Sequence, residues 1–206
     1  MASKNTIFRL SRYKTALYRF KELGITSIFS RNIAKEVGAT PAQVRKDFSI
    51  FNITGHKKAG YKVDDLLEQL KNVLGKEKIQ RVIVVGAGNL GTAFMRYKGF
   101  ERIGIRIVAG FDIDVTKMKP HAGIPVLAMD KLEEYVAKNG IKIGFITVPD
   151  TVAQRVFDQM VRAGIKGVLN LAPITLKVPE HVVVNNIDIA VELENIIYYV
   201  IQHNMA

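Results

Sequence analysis

Val82-Ile83-Val84-Val85-Gly86-Ala87-Gly88-Asn89-Leu90-Gly91 decides how this chain is read. An apolar, β-branched run stops at three glycines spaced G-x-G-x-x-G. A helix-compatible stretch, 90–97, follows, and a second apolar run from Ile105 to Phe111 ends in Asp112. That is the order in which a strand, a tight turn, a helix and a second strand hold a dinucleotide. Gly86 permits the turn out of the strand, Gly88 lets backbone approach a pyrophosphate, and Gly91 lets the helix pack against the strand. With Ala87, Asn89 and Leu90 between them, they put the unpaired N–H groups of a helix start against phosphate. Asp112 stands 26 residues after Gly86. Its carboxylate suits the adenosine ribose hydroxyls and repels a 2′-phosphate, so the expected ligand is NADH or NAD+ rather than its phosphorylated form. The alternative is a turn that serves the fold alone.

Downstream, apolar runs alternate with helical segments, which is the rhythm of a parallel α/β sheet. Strands are expected at 105–112, 124–127, 141–148, 168–171 and 182–184. Helices are expected from a cap at Asp130 to Lys138 and from Asp150 or Thr151 to Ala163. A last helix, 187–203, is apolar on nearly every face. Such a helix must be buried, either on its own sheet or in a partner subunit, and the second is favoured here.

Upstream the pattern is different. Residues 5–23 carry Ile7, Leu10, Ala16, Leu17, Phe20 and Leu23 at helical spacing. Ser30 is the expected cap of a second helix, 31–37. Gly38-Ala39-Thr40-Pro41 then turns into a third, 41–51, with Thr40 at the N-cap and Pro41 at the first helical position. Two short helices around a tight turn form a helix-turn-helix. Its second helix offers Gln43, Arg45 and Lys46, with Asp47 on or near the same outer side, to base edges and phosphates. Residues 52–61 read as a small hairpin wing with Lys57 and Lys58 at its tip, and 63–74 as a closing amphipathic helix.

Charge supports that division. The net charge is +11, and residues 1–76 hold 15 Lys/Arg against 6 Asp/Glu, while the remainder holds 15 against 13. A basic module ahead of a near-neutral one fits a polyanion partner, here double-stranded DNA. The expected domains are 1–77 (winged helix), 78–186 (Rossmann-type) and 187–206 (a dimerisation helix). With no cysteine there is neither disulfide nor thiolate chemistry. No secretory core and no membrane-spanning run is expected, so a cytoplasmic location is.

An enzyme transferring hydride needs a substrate site and a proton donor. Only about 35 residues follow the last clear strand–helix unit. His56, His121, His181 and His203 fall in loops or at the terminus. No catalytic residue and no metal site is expected, so the nucleotide reads as a ligand to be sensed. The competing readings are a small NAD-dependent oxidoreductase with a basic accessory domain, and an architectural DNA-binding protein that ignores nucleotides.

From about residue 7 to 200 the chain resembles the redox-sensing transcriptional repressors of the Rex family. The resemblance rests on Thr40-Pro41-Ala42-Gln43-Val44-Arg45-Lys46-Asp47, the glycine turn, Phe111-Asp112-Ile113-Asp114, Thr147-Val148-Pro149, Ala163 to Pro173, Val178-Pro179 and Asn186 to Leu193. It implies a homodimer with swapped C-terminal helices that binds operator DNA and lets go when NADH binds. It also implies that Arg45 and Lys46 enter the major groove and that Lys57 replaces a minor-groove arginine. Thr147, Val148 and Pro149 would line the nicotinamide side. Tyr97 would meet the partner's Asp188 there, with the partner's Ile189 closing the pocket. The chain departs from the family pattern at Thr15, where an arginine facing Asp188 is expected and Arg12 lies nearby. It departs again at Ile50-Phe51-Asn52 and in the lysine-bearing wing.

Overall fold

The computed structural model describes residues 3–56, 59–75, 79–117 and 119–204. The chain divides into two units, Met1–Ile79 and Gln80–Ala206.

In the first unit, helix α1 (Lys4–Glu22) starts where the Ser3 hydroxyl accepts the N–H of Thr6 at 3.1 Å. Leu10, Tyr13, Ala16 and Leu17 form its buried face. The expected Ile7 and Leu23 are exposed instead, so the stripe is narrower than the apolar positions suggested. Strand β1 (Ser27–Ile28) leads into α2 (Ser30–Val37), α3 (Pro41–Ile50), β2 (Tyr61–Lys62) and α4 (Val63–Val73). The sequence placed the cap of α2 at Ser30. The structure puts Phe29 there, with no side-chain cap, and Ser30 inside the first turn. Around Phe48, Tyr13 and Tyr61 pack edge-on at 5.6 and 5.2 Å. Ile33, Val44, Leu66 and Leu70 complete the core. β2 pairs antiparallel with β1 (Ile28↔Tyr61), and a bridge between His56 and Gly60 closes the base of the wing. Lys57 and Lys58, the expected tip, lie outside the described residues.

The second unit is a six-stranded parallel sheet in the order β5-β4-β3-β6-β7-β8. Its strands are β3 (Gln80–Val85), β4 (Ile105–Asp112), β5 (Val126–Ala128), β6 (Ile143–Ile146), β7 (Gly167–Asn170) and β8 (Val183–Asn186). The helices are α5 (Asn89–Arg96), α6 (Gly99–Arg102), α7 (Leu132–Asn139), α8 (Asp150–Arg162) and α9 (Ile189–Asn204). This is the doubly wound Rossmann order, starting at a central strand and reversing once. β3 is buried on both faces, which explains its unbroken apolar run. Ile83, Val85, Phe111, Phe157 and Met160 make one core, and Val82, Val84, Met95 and Phe145 the other.

Several expected boundaries move. Asp130 sits in a short 3₁₀ turn, Met129–Lys131, and α7 begins only at Leu132 with no side-chain cap. The strand read as 141–148 ends at Ile146, which frees Thr147, Val148 and Pro149 to form a loop at the sheet's carboxyl edge. The last strand runs to Asn186 rather than residue 184. α6 was not anticipated, because four residues are too few to show a period.

Candidate nucleotide and nucleic-acid sites

The candidate nucleotide site lies where the strand order reverses, between β3 and β6. The three glycines of the turn meet three different demands. Gly86 has φ +104°, and a Cβ there would lie 2.8 Å from the main chain of Thr147. A Cβ at Gly91 would fall 1.9 Å from the main-chain oxygen of Gly86, so any side chain would force α5 off the strand. Around Gly88 no protein atom lies within 4 Å of such a carbon; the space is open. Gly88 is also the N-cap of α5 and supplies no side-chain cap, so the first N–H groups of the helix face outward. An anionic group fits there on geometry and on the helix dipole alike.

Thr147 and Asp112 fix the turn. The Thr147 hydroxyl donates to Gly86 at 2.7 Å. Asp112, nearly buried, accepts the N–H of Ala87 at 2.7 Å and that of Asp114 at 2.9 Å. Lys117 holds its ammonium 3.7 Å from both Asp112 and Asp114. The carboxylate expected to meet a ribose therefore also orders the turn, and a cation offsets part of its charge. Below it opens a cavity of about 780 Å³ lined by Gly86, Gly88, Asp112, Ile113, Thr147, Val148, Pro149 and residues of α8. A second cavity, about 520 Å³, lies on the other side of Gly88 against Ala87, Asn89, Thr92, Arg96 and Lys117. Leu90 is exposed on the first turn of α5.

Other expected nucleotide contacts do not converge within one chain. Tyr97 follows α5, at the end away from the glycine turn. It is exposed and lines a different cavity with Phe94 and Phe100. Asp188 caps α9, accepting the N–H of Ala190 at 2.9 Å and that of Val191 at 3.3 Å. Ile189, next to it, is exposed. At the end of β7, sequence reading missed Asn170. Fully buried, it donates to Ala172, Ile174 and Asn186, and its own carbonyl accepts the N–H of Ala172. An asparagine closing an apolar strand run was the available signal.

In the first unit, Thr40 caps α3 by accepting the N–H of Gln43 at 3.1 Å. Arg45 and Lys46 are exposed, and Arg45 donates to the Ser30 hydroxyl at 3.2 Å. Asp47 is the correction: it is not on the outer side but completely buried. A lone buried carboxylate is strongly disfavoured, and removing one partner of a buried ion pair costs roughly 3–5 kcal/mol. Here Arg9 supplies a two-pronged donor at 2.6 and 2.7 Å, the Tyr13 hydroxyl donates at 2.8 Å and the Gln43 amide at 2.8 Å. Burial works against the charged form of Asp47, but the bonds from Arg9, Tyr13 and Gln43 outweigh it and hold the carboxyl below its usual range. Burial and the bond to Asp47 push the Tyr13 phenol up to about 12.

A helix-turn-helix unit with a wing, followed in the same chain by a Rossmann unit with an open glycine turn, defines the class of DNA-binding regulators that answer to a nucleotide. Comparison with known proteins narrows the class. Residues 2–49 match the family model "Putative DNA-binding protein N-terminus", and residues 77–174 match "CoA binding domain". The redox-sensing transcriptional repressor Rex of Carboxydothermus hydrogenoformans is 46% identical over 190 residues, 92% of this chain and 91% of that one. The solved structure of RSP in complex with β-NAD+ and operator DNA superposes with a TM-score of 0.89 at 33% identity, covering 100% of this chain and 95% of that one. RSP in complex with β-NADH gives 0.86 at the same identity, covering 100% and 97%. The chain belongs to the Rex family of redox-sensing transcriptional repressors.

Proposed function

We propose that this chain is a homodimeric repressor that binds operator DNA and is released when NADH occupies the cleft at β3 and β6, so that its occupancy follows the NADH/NAD+ ratio. The observation that carries the reading is the pairing, in one chain, of a capped recognition helix with a glycine turn left open at Gly88. That a relative of the same architecture has been solved both with operator DNA and NAD+ and with NADH supports it. Gly86, Ala87, Gly88, Asn89, Leu90 and Gly91 cradle the pyrophosphate, and Asp112 receives the ribose. Thr147, Val148 and Pro149 take the nicotinamide side, completed by Tyr97 and by the partner's Asp188 and the partner's Ile189. Thr40, Gln43, Arg45, Lys46 and the wing lysines, Lys57 and Lys58, meet DNA.

The mechanism is a coupling free energy. NADH favours one arrangement of the dimer and DNA another, so each weakens the other by the same factor. The domains follow the division 1–77, 78–186 and 187–206, the last exchanged between subunits. The nucleotide is bound and not turned over: the hydroxyls of Thr92 and Thr147 beside the turn both donate to main-chain oxygens. Among the described residues no helix is long and apolar enough to cross a membrane, and we place the protein in the cytoplasm with its DNA. Operator affinity measured across NADH/NAD+ ratios tests the reading. It fails if neither nucleotide changes that affinity by more than about twofold, since allosteric couplings typically run from about 5-fold to 150-fold.

A further inference from the structure

We propose that Asp47 fixes which end of the Gln43 amide faces DNA, making Gln43 a reader of base amino groups: adenine or cytosine, against guanine or thymine, on the strand it meets. This rests on the reading of the chain as an operator-binding protein. An ionised carboxylate only accepts hydrogen bonds, and it has about four places to do so. Asp47 fills them with Arg9 Nε and Tyr13 Oη on one oxygen and Arg9 Nη2 and Gln43 Nε2 on the other. The two Arg9 nitrogens can only donate, and the Tyr13 hydroxyl has to donate to a carboxylate that carries no proton. The fourth, the glutamine amide, has two unlike ends, and only its nitrogen can face Asp47. Its orientation is therefore decided by the network and not by crowding.

Gln43 stands three residues after the cap Thr40, where a glutamine often turns back to the cap's own N–H. Here its side chain runs forward one helical turn to Asp47. Oε1 is left without a hydrogen-bond donor among the described residues, and the side chain is half-buried on the first turn of the recognition helix. An acceptor presented there suits the amino groups of adenine N6 and cytosine N4 in the major groove. It meets the O6 of guanine and the O4 of thymine with repulsion. The Arg9 fork ties the same carboxylate to α1, so the amide is held by a buried, charged group rather than by solvent.

The test is selection of full-length protein on a duplex library randomised across the site, followed by affinities for the four base pairs at each preferred position. Wild type should show one position per half-site at which adenine or cytosine is favoured about fivefold, the worth of one net hydrogen bond. Gln43→Met keeps the length, leaves Arg9, Tyr13 and Asp47 paired, and should erase that preference. Asp47→Asn lets the amide turn over, so the preference at that position should vanish or swing to guanine or thymine. A folded Asp47→Asn protein with the wild-type profile overturns the proposal. If that variant does not fold, the decision falls to the other two proteins. A Gln43→Met profile identical to wild type, or a wild-type preference for guanine or thymine at the position that Gln43→Met erases, overturns it as well. Wild type that selects no sequence at all overturns the operator-binding reading, and the proposal with it.

Discussion

The hydroxyl of Thr147, just past β6, donates a 2.7 Å hydrogen bond to the main-chain oxygen of Gly86 at the end of β3. That same oxygen is the atom a Cβ at Gly91 would strike at 1.9 Å. Three short segments therefore share one carbonyl, and the shape of the turn depends on all of them. We expect Gly91→Ala to shift α5, lower the melting temperature and weaken NADH at least about tenfold, because the clash is with backbone and has no soft escape. Gly88→Ala meets no protein atom. It should melt like wild type yet also bind NADH poorly, its methyl standing where the pyrophosphate approaches. Thermal melts beside NADH fluorescence titrations separate the two. Equal melting losses in both variants would refute this division of labour.

Asp112 carries a second expectation. Its carboxylate orders Ala87 and Asp114 and stands 3.7 Å from Lys117. Replacing it with serine removes the charge that repels a 2′-phosphate and leaves Lys117 facing the site. Asp112→Ser should lose about tenfold in NADH affinity, since the ribose hydroxyls lose a charged acceptor worth roughly 1.5–3 kcal/mol. Its discrimination against NADPH should narrow at the same time. Titrating both nucleotides on both proteins checks this, and an unchanged ratio of the two affinities would remove Asp112 from the selectivity.

What could be read from residues alone was whatever is local. The glycine spacing, the Thr40 cap with Pro41 behind it, and the β-branched run of β3 are decided within a few positions, and the structure has them where the sequence put them. What escaped was decided across distance. Asp47 sits among Gln43, Arg45 and Lys46 and reads as one more outward polar residue; its burial depends on Arg9, 38 residues earlier. Tyr13 interrupts the apolar stripe of α1 only because its hydroxyl has that same carboxylate to serve. Ser30 looks like a cap, but the chain turns one residue sooner, and its hydroxyl receives Arg45 instead. Asp188, whose expected partner is in another subunit, spends its carboxylate on the start of its own helix.

The Asp47 network gives stability a pH signature at both ends. Tyr13 is pushed up to about 12 from 10.0, so its neutral form is the one the fold favours. Its contribution is complete below pH 10 and is lost as the pH rises toward 12. Asp47 is depressed, so its contribution is present above the usual carboxylate pKa of 3.8 and is lost as the pH falls through its lower folded value. Urea midpoints for wild type and Tyr13→Phe should converge across the alkaline window, because the variant has no phenol to ionise there. Parallel curves from pH 9 to 12 would contradict the assignment.

The last helix makes the strongest demand on a partner. From Ile189 to Ile201 its large apolar side chains are between 49% and 64% exposed, on every face. Scattered exposed apolar residues are ordinary, but a contiguous patch of this extent marks an interaction surface. On the proposed reading, an isologous exchange of the helix would cover this patch and supply Asp188 and Ile189 to the neighbour's nucleotide cleft. Ile196→Glu with Val200→Glu should therefore yield monomer by sedimentation. The same pair of substitutions should weaken NADH although neither residue lines the cavity beside Gly88 in its own chain. Operator affinity should fall as well, since two half-sites are then no longer held by one particle. A wild type that sediments as a monomer at micromolar concentration, or a monomeric variant that keeps wild-type NADH affinity, would show that α9 does not complete the site.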